Sequence, residues 1–412
     1  MNTRSTIASM RGKRRGRVLA YCHDGVGLGH LRRTLNISEH VGREHPRTSF
    51  LVVTGSPYVS LLGHAPTVDF VKLPAIVKVD NNTYRSKFLP IPAEELLRCR
   101  SALLLQTAQV FEPDVLLVDK APLGVCNELL PTLRWLRAHR PDVRIVFGMR
   151  DIEDAPEATI AEWTRRGVQP VLEACYDEVW VYGMRRVFDV AKEYRLSPAI
   201  RKKLRFVGYV TGDGCAHTKP MTNGHPRVLV TVGGGTDGES VLEAYLAHAA
   251  GRLSELGVRS TVVGGPDLPD EAAVRLRGRA GEIPGVEWLD FAPCLGCQIQ
   301  RAELVVSMGG YNTLCEIATR ARRSLVIPRR QPRLEQTIRA KLWERLGVVH
   351  TLDRDMLTPE RLAEDVDGLL QNGHKMTAAS LDMDGLKRVG RRFASMLDRS
   401  SRKRAGGIAV GE

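Results

Sequence analysis

Twice along this chain a strand-like apolar segment runs into a glycine-rich turn and then into a helix-like segment. Arg17 to Asp24 leads into GVGLGH at Gly25 to His30, and Arg227 to Gly235 leads into GGGTDG at Gly233 to Gly238. Strand and helix segments go on alternating after each turn. Ser49 to Ser56, Asp114 to Lys120, Val143 to Asp151 and Asp177 to Gly183 follow the first; Val258 to Gly265, Val286 to Phe291, Leu304 to Met308 and Ser324 to Pro328 follow the second. Such alternation is what parallel α/β sheets require. Glu94 to Phe111 and Gly124 to His139 carry apolar residues at three- and four-residue spacing, as crossover helices do. The expected fold is α/β, with two doubly wound Rossmann-like domains facing each other across a cleft. Both glycine turns then sit at carboxyl ends of strands, where open sheets of this kind bind ligands.

A chain of 412 residues exceeds what one core organises, which agrees with two domains. The stretch Thr211 to Pro226 (TGDGCAHTKPMTNGHP) breaks the periodicity and reads as the linker. The expected plan is a basic arm over 1–16, a first domain over 17–210, the linker over 211–226 and a second domain over 227–379. A helix over 380–398 is expected to cross back to the first domain, ahead of a disordered tail over 399–412. Apolar runs such as Val115 to Val118 are far too short to span a bilayer. No signal-peptide apolar region follows the basic start, so the cytoplasm is the expected location.

The net charge of +13 suits phosphate anions, an acidic membrane surface or nucleic acid. Nucleic acid is disfavoured, because aromatic residues amount to 6% and do not interleave with the basic ones. Arg11 to Arg17 (RGKRRGR) and Arg399 to Arg404 (RSSRKR) hold much of the excess, which keeps peripheral contact with the inner membrane face open. Eight cysteines are scattered, and Cys294-x-x-Cys297 lacks the second pair of a zinc site, so reduced thiols are expected.

GVGLGH is not a dinucleotide fingerprint, since His30 stands where that pattern needs glycine, and no Walker lysine follows. His30 opens a helix above the sheet, where it serves either as a cap or as a base with an ordinary pKa near 6.5. Asp119, at the end of the strand Val115 to Val118, lies at the same sheet edge. Gly233-Gly234-Gly235-Thr236 and Gly309-Gly310-Tyr311-Asn312-Thr313 are either tight turns or phosphate cradles of backbone N–H groups. Two cradles in one domain suit a diphosphate. Thr313 and Glu316 have the spacing of a capping box, and Glu316 equally suits a ribose diol. The pairs Asp353-x-Asp355 and Asp382-x-Asp384 read as solvated surface, so no metal site and no cofactor is expected.

These segments resemble the GT-B glycosyltransferases, above all the branch holding the lipid-linked N-acetylglucosaminyltransferase of peptidoglycan synthesis and the uridine-diphosphate glycosyltransferases. The wording GLGHLRR with MGGYNT looks most like a bacterial branch of predicted glycosyltransferases. The resemblance implies that His30 is the general base and that Asp119 orients it. It implies a donor site of Gly27, Gly29, Gly234, Gly235, Thr236, Phe291, Gly309, Gly310, Asn312, Thr313, Glu316, Glu335 and Gln336. Glu335 and Gln336 would contact the sugar. Met308 departs from the pattern, since plant members place a histidine there. Acceptor contacts are expected from the polar loop Val79 to Pro90 (Asn81, Asn82, Tyr84 and Arg85) and from Arg150 and Asp151. The implied reaction is inverting, metal-independent transfer from a uridine-diphosphate sugar to a small-molecule or lipid-linked acceptor. The rivals are a sugar-nucleotide 2-epimerase and a nucleotide-sugar-binding protein without turnover.

Overall fold

The computed structural model describes residues 16–23, 29–62, 64–78, 84–212, 227–372 and 380–406. Gly27, Asn81 and Asn82 lie outside the described residues, as do 1–15 of the expected arm, 213–226 of the linker and the tail from 407.

The first domain is built on seven parallel strands: β1 (Gly16–Cys22), β2 (Thr48–Thr54), β3 (Val68–Lys72), β6 (Val115–Asp119), β7 (Arg144–Arg150), β8 (Glu178–Tyr182) and β9 (Leu204–Phe206), in the order β3-β2-β1-β6-β7-β8-β9. A small antiparallel pair, β4 (Ile76–Lys78) and β5 (Tyr84–Ser86), stands apart from this sheet. The second domain repeats the plan with six parallel strands: β10 (Arg227–Thr231), β11 (Arg259–Val263), β12 (Val286–Leu289), β13 (Leu304–Ser307), β14 (Ser324–Val326) and β15 (His350–Thr351), in the order β12-β11-β10-β13-β14-β15. The chain therefore reverses direction across each sheet at one place, between β1 and β6 in the first and between β10 and β13 in the second. Register pairs Cys22 with Asp119 and Thr231 with Ser307 at these two places. A crevice opens wherever successive crossovers leave in opposite directions, and ligands of doubly wound sheets bind there.

The central strands are buried on both faces, which explains their unbroken Val, Ile and Leu runs. One apolar cluster fills one face of the first domain and another one face of the second. A third runs through the junction, joining Tyr209, Tyr311, Leu314 and Trp343 to first-domain residues such as Leu31 and Leu35. The closing helix Gly385–Gly406 packs on the first domain. Its Phe393 meets Phe50 and Trp180 edge-on, and its Arg392 pairs with Glu178 at 2.7 and 2.8 Å.

Several expectations need correction. The helix expected from Gly124 begins at Leu130, because Gly124, Cys126 and Asn127 take positive φ and form a separate turn. The expected loop around Tyr84 is a strand instead. The last described helix runs on to Gly406. Cys297 is disulfide-bonded, whereas Cys99, Cys126, Cys175 and Cys315 are free thiols. Among the described residues no helix is long and apolar enough to cross a membrane.

Candidate active site

The two reversal points face each other, and one pocket lies between them. Its wall takes Gly29, His30, Arg32, Arg33 and Arg150 from the first domain. From the second it takes Gly233 to Asp237, Phe291, Gly310 to Thr313, Arg329, Glu335 and Gln336.

On the first-domain side His30 stands on the first turn of the helix Gly29–Glu44, and its Nδ1 lies 2.6 Å from Asp119 Oδ2. Arg33 follows one turn later on the same face. Its Nε donates to Asp119 Oδ1 at 3.0 Å, so the carboxylate is held from both sides. Burial alone would raise the Asp119 pKa, but the Arg33 guanidinium and the His30 ring hold it at about 2. Arg33 Nη2 also lies 2.9 Å from His30 Nδ1. Two N–H donors cannot both bond there, and the ionised carboxylate at the shorter distance takes the Nδ1 proton. Burial lowers the His30 pKa to about 4 despite Asp119, so the ring is neutral across the physiological range. With Nδ1 committed to Asp119, Nε2 remains as the basic nitrogen.

On the second-domain side, the turn after β10 needs glycine. Gly235 has φ of 102°, and a Cβ there would sit 2.6 Å from the Gly264 carbonyl oxygen. The helix that follows begins only at Glu239, so the turn itself, rather than a helix terminus, faces the pocket. The turn after β13 is different. Gly309 has φ of 82°, Gly310 is the N-cap, and the helix Tyr311–Arg320 starts at once with its free N–H groups toward the pocket. No side chain caps this helix, and Thr313 lies inside it, so Thr313 and Glu316 form no capping box. Glu316 is buried, its Oε2 has no hydrogen-bond partner, and burial raises its pKa against the opposing pull of Arg32 and Arg320.

The remaining expected donor residues fall into place as follows. Gly234, Gly235, Thr236, Phe291, Gly310, Asn312, Thr313, Glu335 and Gln336 line the pocket, whereas Gly309 shapes the turn behind it. Glu335 accepts from Arg329 Nη2 at 2.9 Å and faces Arg150 at 3.8 Å. Gln336 Oε1 accepts from the Arg329 backbone N–H at 3.2 Å. Asn312 donates from Nδ2 to the Gly29 carbonyl at 2.7 Å and so latches the two domains beside the pocket.

Of the expected acceptor contacts, Arg150 reaches the pocket wall. Asp151 does not. It is buried and accepts from Arg339 Nε and Nη2 at 3.0 and 2.7 Å, which makes it a tie between the domains with no surface left for a substrate. Tyr84 and Arg85, on the strand β5, are not among the residues that line this pocket. Sequence reasoning missed Arg32, Arg33, Asp237 and Arg329. Arg33 was accessible, since residues three apart share a helix face. Arg329 and Asp237 meet at 2.9 Å only because β14 brings its end beside the β10 turn.

Residues 228–389 match the glycosyltransferase family 28 C-terminal domain. The chain is 25% identical over 278 residues to the UDP-N-acetylglucosamine–N-acetylmuramyl-(pentapeptide) pyrophosphoryl-undecaprenol N-acetylglucosamine transferase of Vibrio atlanticus, covering 64% of this chain and 76% of that one. The enzyme of the same name from Syntrophotalea carbinolica is 31% identical over 195 residues, which span 45% of this chain and 52% of the relative. In three dimensions the chain is similar to the glycosyltransferase SnogD from Streptomyces nogalater (TM-score 0.54, 17% identity, 96% of this chain and 99% of that one). It is also similar to a putative UDP-N-acetylglucosamine 2-epimerase from Listeria monocytogenes (TM-score 0.58, 10% identity, 93% and 96%). At these identities the likeness to solved structures speaks for the fold.

Proposed function

We propose that this chain, whose residues 228–389 match the glycosyltransferase family 28 C-terminal domain and whose fold is similar to that of solved glycosyltransferases, transfers a sugar, with inversion, from a uridine-diphosphate donor to an acceptor hydroxyl, His30 serving as base. One observation carries this reading: the His30–Asp119 pair and the two glycine turns of the second domain line or adjoin a single pocket. The acceptor hydroxyl gives its proton to His30 Nε2, and its oxygen attacks the anomeric carbon as the bond to the diphosphate breaks. The electron pair of that bond leaves with the nucleoside diphosphate. Asp119 stabilises the imidazolium that forms, and the N–H groups of Gly233 to Thr236 and of the Tyr311 helix meet the charge growing on the leaving group. No step calls for a metal.

The 2-epimerase likeness extends to the fold. A half-buried, carboxylate-oriented histidine facing the diphosphate site favours transfer to an external hydroxyl. The acceptor is a small molecule or a lipid-linked one, the second being the kind named for the Vibrio relative. Peripheral contact with the inner membrane face suits a lipid-linked acceptor. Release of uridine diphosphate from labelled donor sugars, with an acceptor screen, tests the reading; a chain that releases none with any acceptor would refute it.

The pH profile is a second check. The base must be deprotonated to act, so the rate is lost only as pH falls through the His30 pKa of about 4 and is level from there to neutrality. An acid limb centred on 6.5 or above would contradict a neutral ring. Glu316 gives a third. Without a capping role, Glu316→Ala is expected to weaken uridine diphosphate by about tenfold, the loss of one or two hydrogen bonds to a charged acceptor, and 2′-deoxyuridine diphosphate much less. Equal losses for both nucleotides, measured by calorimetry, would remove Glu316 from the ribose site.

A further inference from the structure

Four arginines line the pocket, and two of them, Arg33 and Arg329, hydrogen-bond carboxylates. Arg33 is buried and bonded to Asp119. Arg329 donates to Asp237 and Glu335, each at 2.9 Å. Arg150 lies between Glu335 and Glu153, each 3.8 Å away. The ion partner of Arg32 among the described residues is Glu316 at 3.8 Å, which is beyond hydrogen-bonding distance.

Arg32 sits two residues past His30, about 200° around the helix, so His30 and Arg33 turn to Asp119 while Arg32 turns to the helix Tyr311–Arg320. The bond from Asn312 to the Gly29 carbonyl pins the starts of these two helices together at 2.7 Å. The Arg32 guanidinium is thereby held near the helix start where the second domain offers N–H dipoles to an anion. We propose that Arg32 is the first domain's contact to the diphosphate of the donor, and that Glu316 is its alternative partner.

A planar guanidinium bonds phosphate oxygens with two parallel N–H groups, and that contact strengthens as charge develops on the leaving group. The exchange also serves Glu316. Its buried Oε2 lacks a partner, and once Arg32 turns to phosphate the whole carboxylate is open to the ribose diol. Donor binding thus draws the two domains onto one ligand. The inference rests on the proposed uridine-diphosphate donor.

Calorimetry of the full chain with uridine diphosphate, uridine monophosphate and uridine separates the possibilities. Arg32→Gln is expected to weaken uridine diphosphate about tenfold or more, in keeping with the loss of a charge-assisted pair, and to leave uridine unchanged. Arg32→Lys keeps the charge but not the fork and should fall between. In turnover, Arg32→Gln should lower kcat beyond any change in KM. If Arg32→Gln keeps the full preference of the wild type for diphosphate over uridine, or weakens both equally, Arg32 is a tether to Glu316 and the proposal falls while the donor reading stands. If the wild type binds uridine diphosphate no better than uridine, both fall.

Discussion

Replacement of His30 by alanine is expected to lower kcat by about 10²- to 10⁴-fold, the usual worth of a positioned general base, with uridine diphosphate affinity unchanged. The physical reason lies in the pairing at Nδ1. Asp119 fixes the ring at 2.6 Å and is itself fixed by Arg33, so the neutral imidazole keeps one tautomer and one orientation, with Nε2 as the basic atom. Asp119→Asn should cost nearly as much. An amide can donate its N–H to Nδ1 and so drive the proton to Nε2, where it blocks the base. Steady-state release of uridine diphosphate, alongside calorimetry with the same nucleotide, distinguishes a lost base from a lost site. Turnover by His30→Ala within a few-fold of the wild type would end the assignment of His30, and a parallel loss of nucleotide affinity would show that the ring holds the donor instead.

The second large effect is expected at the domain junction. Arg339 is wholly buried, donates twice to Asp151, and stacks its guanidinium 5.5 Å from the Tyr311 ring centre. Burial opposes its charge, and Asp151 outweighs that opposition and keeps it protonated. Asp151→Ala would leave this cation without its counter-charge in the interior, at a cost of about 3–5 kcal/mol. The exchange of both partners for apolar side chains of similar volume, Asp151→Leu with Arg339→Met, is expected to be neutral or to stabilise by about 1–4 kcal/mol. Urea unfolding followed by tryptophan fluorescence reads both, since Trp343 is buried in the same junction and its Nε1 donates to Tyr209 OH at 3.3 Å. A loss under about 1 kcal/mol for Asp151→Ala would mean that water reaches the pair as it reaches surface ion pairs.

Asp151 also shows why part of the site was hidden in the sequence. It follows a parallel strand directly, the position that marks ligand-binding residues in doubly wound sheets, and Arg150 beside it does reach the pocket. One residue further on, the chain turns inward. Whether such a carboxylate meets a substrate or a neighbouring helix depends on Arg339, 188 residues away in sequence, and no local pattern carries that information. Thr313 and Glu316 show the same limit from the other side. Their spacing suits a capping box, yet Gly310 is the N-cap, which places Thr313 within the helix, where its hydroxyl has no helix terminus to satisfy.

The sequence by itself determined the two parallel sheets, because strands buried on both faces must be continuous apolar runs and crossover helices must carry a three- and four-residue period. It also located the turns at Gly233 to Thr236 and Gly309 to Thr313, since backbone with positive φ against a close neighbour admits glycine and little else. Only the tertiary structure decided which charges meet: Arg33 on Asp119, Arg32 before Glu316, Arg329 between Asp237 and Glu335, and Asp151 under Arg339. Backbone conformation is set within a few residues and leaves its mark in composition. Charge pairing is set by how two sheets and their helices pack across a cleft, and a long arginine side chain can find its carboxylate from many places in the chain.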